Sequence, residues 1–475
     1  MLPHVLRVFF IILEVVILFN LLIVVHELGH FLAARWRGLY IEKFGIWFGK
    51  PLWKKTINGV EYSLGSIPFG GFVALPQLAP MDLIEGKADM DRARLPKISA
   101  LDKIIVAVAG PLFSLLLALF FACVVWAVGH PVSESDLTTV IGYVEQNSPA
   151  AMAGLRPGDK ILEVDGHRVT RFFGMNDSVV WNVVRSEGRV IPFKVERGSE
   201  VLTVEVVPRI AKTSGWRRKS TRQVMIQPAV TPLIAKVEKD SPAAKAGLKA
   251  GDIVTGVNGA RIFNTLALVD EIEKNPTAEL TIDARRGAEQ LQLRMRPAVL
   301  EIDGTRKPMI GIHWDTGGRL SLSHPDPVEQ VYHSITSTLQ TIGAVASPNS
   351  DVKLQHMSGP IMIVRIYYLL FEGENGWKLA LWFSVILNVN LAILNMLPIP
   401  VLDGGHIVLA LIEGVRRKPV NMKVLEWVQT ACATIIIGYM LYISFFDIGD
   451  LFGKNGDQNS PRKEPPSPTK ATPAP

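Results

Sequence analysis

Three stretches of this chain, about residues 5–25, 104–128 and 379–397, are apolar, carry few charges and are long enough to cross a bilayer. A fourth, residues 427–446, contains no charged residue. Backbone inside hydrocarbon must satisfy its own N–H and C=O groups, so these stretches are expected to be transmembrane helices. The bulk composition agrees: 48% of the 475 residues are hydrophobic and the mean hydropathy is +0.25, high for a soluble protein. The length calls for more than one folded unit. The first stretch lacks a small-residue cleavage site, so a retained helix is expected there and not a signal peptide.

That first stretch runs directly into His26-Glu27-Leu28-Gly29-His30. Two histidines four apart project from the same face of a helix and can hold one metal ion. A glutamate beside the first can take a proton from metal-activated water. At the end of an apolar helix, the pattern implies hydrolysis at or inside a bilayer. Glu14, twelve residues earlier, points roughly 120° away from His26 and is not expected to reach the metal.

The net charge of +6 is mild, but its distribution is informative. Arg35, Arg37, Lys43, Lys50, Lys54, Lys55, Arg92, Arg94, Lys97 and Lys103 lie between the first two spans, and Arg416, Arg417, Lys418 and Lys423 between the last two. The positive-inside rule makes these connections cytoplasmic. The region from about 131 to 376 and both termini then lie outside. No interleaving of aromatic and basic residues accompanies the high pI, so no nucleic-acid partner is expected. Cys123 and Cys432 both fall in spans and are expected to be buried small hydrophobes, not a disulfide.

The outer region contains a repeat. Residues 141–169 and 234–262 align without a gap at an offset of 93, with 15 identities in 29 positions. Each copy reads as strand, short helix, Gly-Asp turn, strand and a second turn at Asp-Gly or Asn-Gly. Two copies at so long a period mean duplicated domains. Both resemble PDZ domains, over residues 137–208 and 225–297, on the strength of Gly154-Leu155 with Gly158-Asp159 and Gly247-Leu248 with Gly251-Asp252. The resemblance implies capture of extended peptide ends at a sheet edge, or shielding of the entrance by size.

Three further segments complete the chain. Residues 41–48, 54–57 and 60–66 read as short strands, with a hairpin turn at Asn58-Gly59. The run 66–75, SIPFGGFVAL, is apolar enough to dip into the membrane beside the motif helix. Val328, Val331, Ile335, Leu339, Ile342 and Val345 recur at helical spacing, a face expected to lie on the membrane surface, with packing against the second repeat as the alternative. From Gly453 the chain is rich in Lys, Pro, Ser and Thr and is expected to lack a core.

Two histidines leave a catalytic zinc site one protein ligand short. The third apolar stretch is interrupted by two prolines and two glycines in the run from Asn395 to His406, and Asp403 stands in that break. Irregular backbone at membrane depth lines a site, and an ionisable group there is functional by default. Asp403 is therefore the candidate third ligand. His406 is not needed.

With HELGH in the first span, tandem PDZ-like repeats and LPIPVLDGGH in a late span, nearly the whole chain resembles the site-2 protease family of intramembrane zinc metalloproteases. The nearest branch is the bacterial regulators of sigma-E protease. The resemblance implies zinc held by His26, His30 and Asp403, with Glu27 as general base. It implies substrate contact by Asn390 and Asn395, and membrane-anchored protein substrates such as a pre-trimmed anti-sigma factor or signal-peptide remnants. It implies residence in the bacterial cytoplasmic (inner) membrane. Ala109-Gly110-Pro111 and Ser358-Gly359-Pro360 also match family segments. Ser114 stands where relatives often have asparagine, which puts a hydrogen bond at that spot in doubt.

The expected fold class is a polytopic α-helical membrane protein with four transmembrane helices, two extracytoplasmic PDZ domains of β-rich α+β type and a membrane-associated β-hairpin region. Its expected parts are a first span over 4–36, a β region over 40–76 and a second span over 103–129. The PDZ domains follow, then an amphipathic linker over 326–360, a third span with the LDG segment over 378–413, a fourth span over 425–449 and a tail over 453–475. A non-enzymatic PDZ scaffold in the membrane is the competing reading. Intact His26, Glu27, His30 and Asp403 speak against it.

Overall fold

A computed structural model of the chain describes residues 2–78, 98–213, 217–302, 305–315, 320–373, 375–418 and 420–452. The tail over 453–475 lies outside the described residues, as do Arg92, Arg94 and Lys97. The described chain forms two compact units. One comprises Met1–His130, Ser323–Ile342 and Met357–Phe452, and the other Pro131–Leu322 with Gly343–His356.

The first unit is helical, with one small sheet. Helix α1 (Leu2–Arg37) is followed by strands β1 (Lys43–Phe48), β2 (Trp53–Ile57), β3 (Val60–Leu64) and β4 (Ile67–Ala74). Helices α2 (Ala100–Val128), α3 (Pro327–Ala346), α4 (Pro360–Glu372), α5 (Gly376–Asn395), α6 (Asp403–Arg416) and α7 (Met422–Phe452) complete it. Among the described residues, four helices are long and apolar enough to cross a membrane: Val5–Arg37 within α1, Ala100–Val128, Gly376–Asn395, and Lys423–Leu451 within α7. The third span therefore ends at Asn395, and the LDG segment begins a separate helix at Asp403. Pro398 and Pro400 cannot donate helical hydrogen bonds, which is why the segment expected over 378–413 divides at the expected break.

Helix α2 is the hub, since α1, α5 and α6 all pack against it. Its buried residues are mostly small: Ala107, Ala109, Gly110, Ser114, Ala118 and Ala122. Lipid offers no hydrophobic drive to associate, so spans rely on the close approach that small side chains permit. Beyond the hub, Val331 and Ile335 of α3 pack against Leu22, Ala118, Phe121, Val385 and Val389. Those two positions of the face seat on the span bundle. Val328 and Leu339 of the same face are exposed, and the residues that α3 buries are Gln330, Ser334 and Thr338. The cysteines depart from expectation. Both are free, with Cys123 exposed and Cys432 half-buried. On a membrane span the outward face meets lipid, so an apolar side chain need not be inside.

The sheet has the order β2-β3-β1-β4. Asn58 and Gly59 both adopt positive φ, 50° and 83°, as a two-residue turn between twisted strands requires. β1 runs parallel to β3 and antiparallel to β4. The glycine-rich run is thus an edge strand, laid along α1. Phe19 stacks on Phe69, and Asn20 donates to the Pro68 carbonyl at 3.2 Å.

In the second unit each repeat forms its own domain. The first has the sheet order 200–206, 191–197, 160–164, 167–168 over a core that includes Ile141, Ile161, Phe172, Phe193 and Val195. The second repeats it with Ala260–Arg261, Ile253–Val257, Leu280–Arg286 and Glu289–Met295 over Ile234, Val254, Leu268 and Ile282. Each domain closes beyond its expected limit. Ile226–Pro228, inside the range expected for the second domain, pairs with Ile141–Val144 of the first, and Ile312–Trp314 pairs with Ile234–Val237. These short closing strands fall outside the 29-residue identity that marks the repeat.

The repeated Gly-Asp turn has a physical reason. Asp252 is fully buried, accepts from the Lys249 N–H and pairs with Arg286 at 2.7 Å, while Arg286 also holds the Gly247 carbonyl. Asp159, Arg156, Arg197 and Gly154 repeat every element of this arrangement. Burial pushes the Asp252 carboxyl up, but the Arg286 bonds and the Lys249 N–H outweigh it and hold it below the usual aspartate range. A depressed folded pKa contributes stability that is complete above the unfolded value and is lost as pH falls through the folded one. Arg286→Ala should therefore leave the buried Asp252 carboxylate without its cation and destabilise the second PDZ domain at neutral pH. The penalty should shrink as pH falls below the usual aspartate range and through the depressed folded pKa, where the carboxyl becomes protonated. Hydrogen exchange across Leu280–Arg286 in the intact protein, corrected for intrinsic rates, measures both.

Candidate metal centre

His26, Glu27 and His30 lie in the last third of α1, and both histidines are buried. Asp403 is the first residue of α6, where a helix N-terminus favours an anionic side chain. The two segments meet. His26 Nε2 lies 3.2 Å from Asp403 Oδ2, His30 Nε2 lies 3.3 Å from Asp403 Oδ1, and the two Nε2 atoms are 3.3 Å apart. A tetrahedral ion with bonds of 2.0–2.1 Å spaces its ligand atoms about 3.3–3.4 Å apart.

The second span sets this geometry. The His30 Nδ1 lies 2.8 Å from the Val106 carbonyl. A carbonyl only accepts, so Nδ1 carries the proton and Nε2 presents its lone pair to the centre. His26 Nδ1 lies 2.9 Å from the Ser114 hydroxyl, which is fully buried. The hydrogen bond put in doubt by serine at this position is therefore present. Gly110 makes room for the ring, since a Cβ there would fall 2.2 Å from His30 Nε2. Lys103 of α2 pairs with Glu413 of α6 at 2.7 Å and ties the Asp403 helix to the hub.

The donor set fits a divalent ion. Three ligand atoms from His26, His30 and Asp403 lie within 4.8 Å of one another. The Asp403 Oδ2 is buried yet has no hydrogen-bond partner among the described residues. The carboxylate presents one oxygen to each imidazole, and beside the lone pair of His30 Nε2 that contact is repulsive unless a cation lies between. Two nitrogens and one carboxylate oxygen suit zinc.

A cleft of about 220 Å³ opens at these residues, lined by Glu27, Gly71, Phe72, Val73, Leu402 and His406 among others. Glu27 is half-buried and its carboxylate accepts a hydrogen bond from the backbone of Val73 in β4. Asn395 reaches the centre, with Nδ2 3.3 Å from His26 Nε2. Asn390 does not line the cleft and bonds to the Thr338 hydroxyl of α3. His406 lines the cleft without joining the ligand group. Glu14 is exposed, away from it. Ser114, the Val106 carbonyl and the edge strand β4 are the working parts that sequence spacing alone does not reveal.

Helices apolar enough to cross a membrane, with His26, His30 and Asp403 converging where one of them breaks, mark the class. The family model described as Peptidase family M50 matches residues 14–439. This chain belongs to that family, the site-2 proteases, whose members are zinc metallopeptidases. It is 28% identical over 469 residues to the regulator of sigma-E protease RseP of Salmonella typhimurium, covering 90% of this chain and 97% of that one. A Neisseria meningitidis protein, provisionally named a zinc metalloprotease, is 30% identical over 462 residues, covering 91% of this chain and 97% of that one. Among solved structures, the PDZ domain of an SdrC-like protein from Listeria monocytogenes is similar over 18% of this chain and 87% of that one, at 24% identity and a TM-score of 0.17.

Proposed function

We propose that His26, His30 and Asp403 hold the zinc of an intramembrane endopeptidase, that Glu27 is its general base, and that its substrates are transmembrane segments of membrane-anchored proteins. The convergence of three ligand atoms from two apolar segments, with an orphaned buried carboxylate oxygen among them, carries this reading. A zinc ion held there supplies Lewis acidity, acidifying water and polarising a peptide carbonyl. Glu27 accepts the proton of the attacking water as oxygen bonds to the carbonyl carbon. It returns that proton to the amine nitrogen as the C–N bond breaks. The Asn395 amide, beside the centre, is the candidate to hold the substrate backbone. Asn390, tied to Thr338, supports helix packing better than substrate contact.

A peptide bond inside a transmembrane helix is hydrogen-bonded and shielded, so the substrate must unwind before attack. The edge strand β4 offers a place for the unwound segment. The Ala74 carbonyl bonds towards β1 by accepting from Glu42, so the alternate residues Val73 and Gly71 turn their N–H and C=O groups away from β1, towards the cleft. Gly71→Pro removes one outward donor and leaves the bonds to β1. Cleavage of a membrane-embedded substrate should fall about tenfold or more, with bound zinc unchanged. Wild-type cleavage by this variant would count against strand addition.

The basic connections support a topology with the PDZ domains and both termini outside the cytoplasm, in a bacterial cytoplasmic membrane. The PDZ pair then excludes substrates whose outer domains have not been trimmed, or takes up their new chain ends. A pre-trimmed anti-sigma factor is the substrate type that the sigma-E regulator relatives support. The test is reconstitution in lipid with a single-span model substrate. Cleavage should depend on zinc and stop with a chelator. A protein that binds the PDZ ligands but never cleaves would instead be a membrane scaffold.

A further inference from the structure

The loop between α5 and α6 carries Asp403 and has few bonds of its own. Leu397 donates back to Leu394 of α5, Ile399 and Leu402 donate within the loop, and Pro398 and Pro400 have no N–H to give. The Pro400 carbonyl, three residues before Asp403, is taken instead by a side chain from another span. Gln429 of α7 donates to it through Nε2 at 3.2 Å. Gln429 is 5% exposed, on a helix whose neighbouring Trp427 and Val428 face outward.

The amide is costly where it stands. Its Oε1 is buried with no partner among the described residues. An unsatisfied buried polar atom is unfavourable, and methionine would fill the same space without that penalty. The one hydrogen bond that Gln429 makes must then account for the residue. It reaches the loop where the loop is tightly seated, since a Cβ at Gly405 would fall 2.1 Å from the Ile399 carbonyl and 2.6 Å from the Pro400 Cα. A shift of Pro400 therefore moves the start of α6, and with it the carboxylate that faces His26 and His30.

We propose that Gln429 is a positioning residue for the metal centre: from the fourth span it fixes the Pro400 carbonyl, and through the loop the orientation of Asp403. This rests on Asp403 being the third ligand. Glutamine 429 acts on how tightly the ion is held, not on the chemistry of proton transfer.

The experiment measures zinc retention in the full-length protein, in a Glu27→Gln background so that turnover plays no part. Gln429→Met should lose half its zinc at a competing chelator concentration about tenfold lower, the scale of other outer-shell supports. Hydrogen exchange at Leu397, Ile399 and Leu402 in the metal-free protein should quicken as well. Leu425→Ala is the packing control, being a buried apolar loss on the same helix. It should lower thermal stability and leave the chelator curve where it was. Should Gln429→Met fail to accumulate, Gln429→Asn, one methylene shorter, carries the same test. An unchanged chelator curve, or one that moves equally in Leu425→Ala, overturns the proposal. Asp403→Asn in the same assay separates the two readings. If it loses zinc while the Gln429 variants do not, only the role of Gln429 falls. If it keeps zinc, the ligand assignment itself fails.

Discussion

Glu27→Gln should abolish cleavage of a membrane-embedded substrate and leave zinc bound at wild-type stoichiometry. Glu27 is not one of the three converging ligands, so the ion keeps all its protein donors. The substitution is close to isosteric, and a glutamine oxygen can still accept from the Val73 backbone. The amide cannot take a proton from water at neutral pH. A positioned general base contributes about 10²–10⁴-fold, so the rate should fall by at least that range. Stability should hold or rise slightly, because a half-buried carboxylate is removed. The measurement is turnover of a single-span substrate in lipid, beside zinc content of the same preparation. Residual cleavage near wild type would remove Glu27 from the chemistry. Loss of zinc along with activity would make Glu27 part of the cage and not the base. Membrane peptides that accumulate around this variant in cells would be the natural substrates.

How much of this centre can be read from the chain depends on where each part's geometry originates. His26 and His30 need only the pitch of a helix, so five residues of sequence suffice. Asp403 is legible because an ionisable group beside two prolines and two glycines is costly in an apolar segment unless it serves a site. Ser114 and the Val106 carbonyl are not legible in that way. The buried face of α2 is marked only by small residues every four positions, Gly110, Ser114, Ala118 and Ala122, a stripe that shows close packing but not which helix it meets. β4 is hidden for a related reason. PFGGF lacks the alternation of a half-buried strand, because one flank meets α1 and the other meets β1. The two asparagines show the limit within one helix. Asn390 and Asn395 are five residues apart, about 140° around α5, so they cannot both face the cleft. Asn395 takes that face and Asn390 meets α3.

Asp403→Asn should strip the ion. The carboxylate is the sole anion in the cage and presents one oxygen to each histidine, at 3.2 and 3.3 Å. An amide in its place is neutral and a poor zinc ligand, and two histidines alone fall short of the three protein donors that a catalytic zinc uses. Affinity should fall by more than the 10–100-fold that follows loss of an outer-shell partner, and cleavage should fall with it. Asp403→Cys offers a thiolate, itself a zinc ligand, and should recover part of the bound metal without restoring full turnover, because the longer bond displaces the ion. Chelator competition on each purified variant gives the order: wild type tightest, Cys intermediate, Asn weakest. Zinc retained in Asp403→Asn would mean that another donor completes the site. His406 is the alternative, since it lines the same cleft three residues along α6. In that case His406→Ala, and not Asp403→Asn, should release the metal. If both variants release it, His406 supports the cage from outside while Asp403 closes it. Release by Asp403→Asn alone fixes the third ligand at the break between α5 and α6, where an interrupted span brings a charge to the depth of His26 and His30.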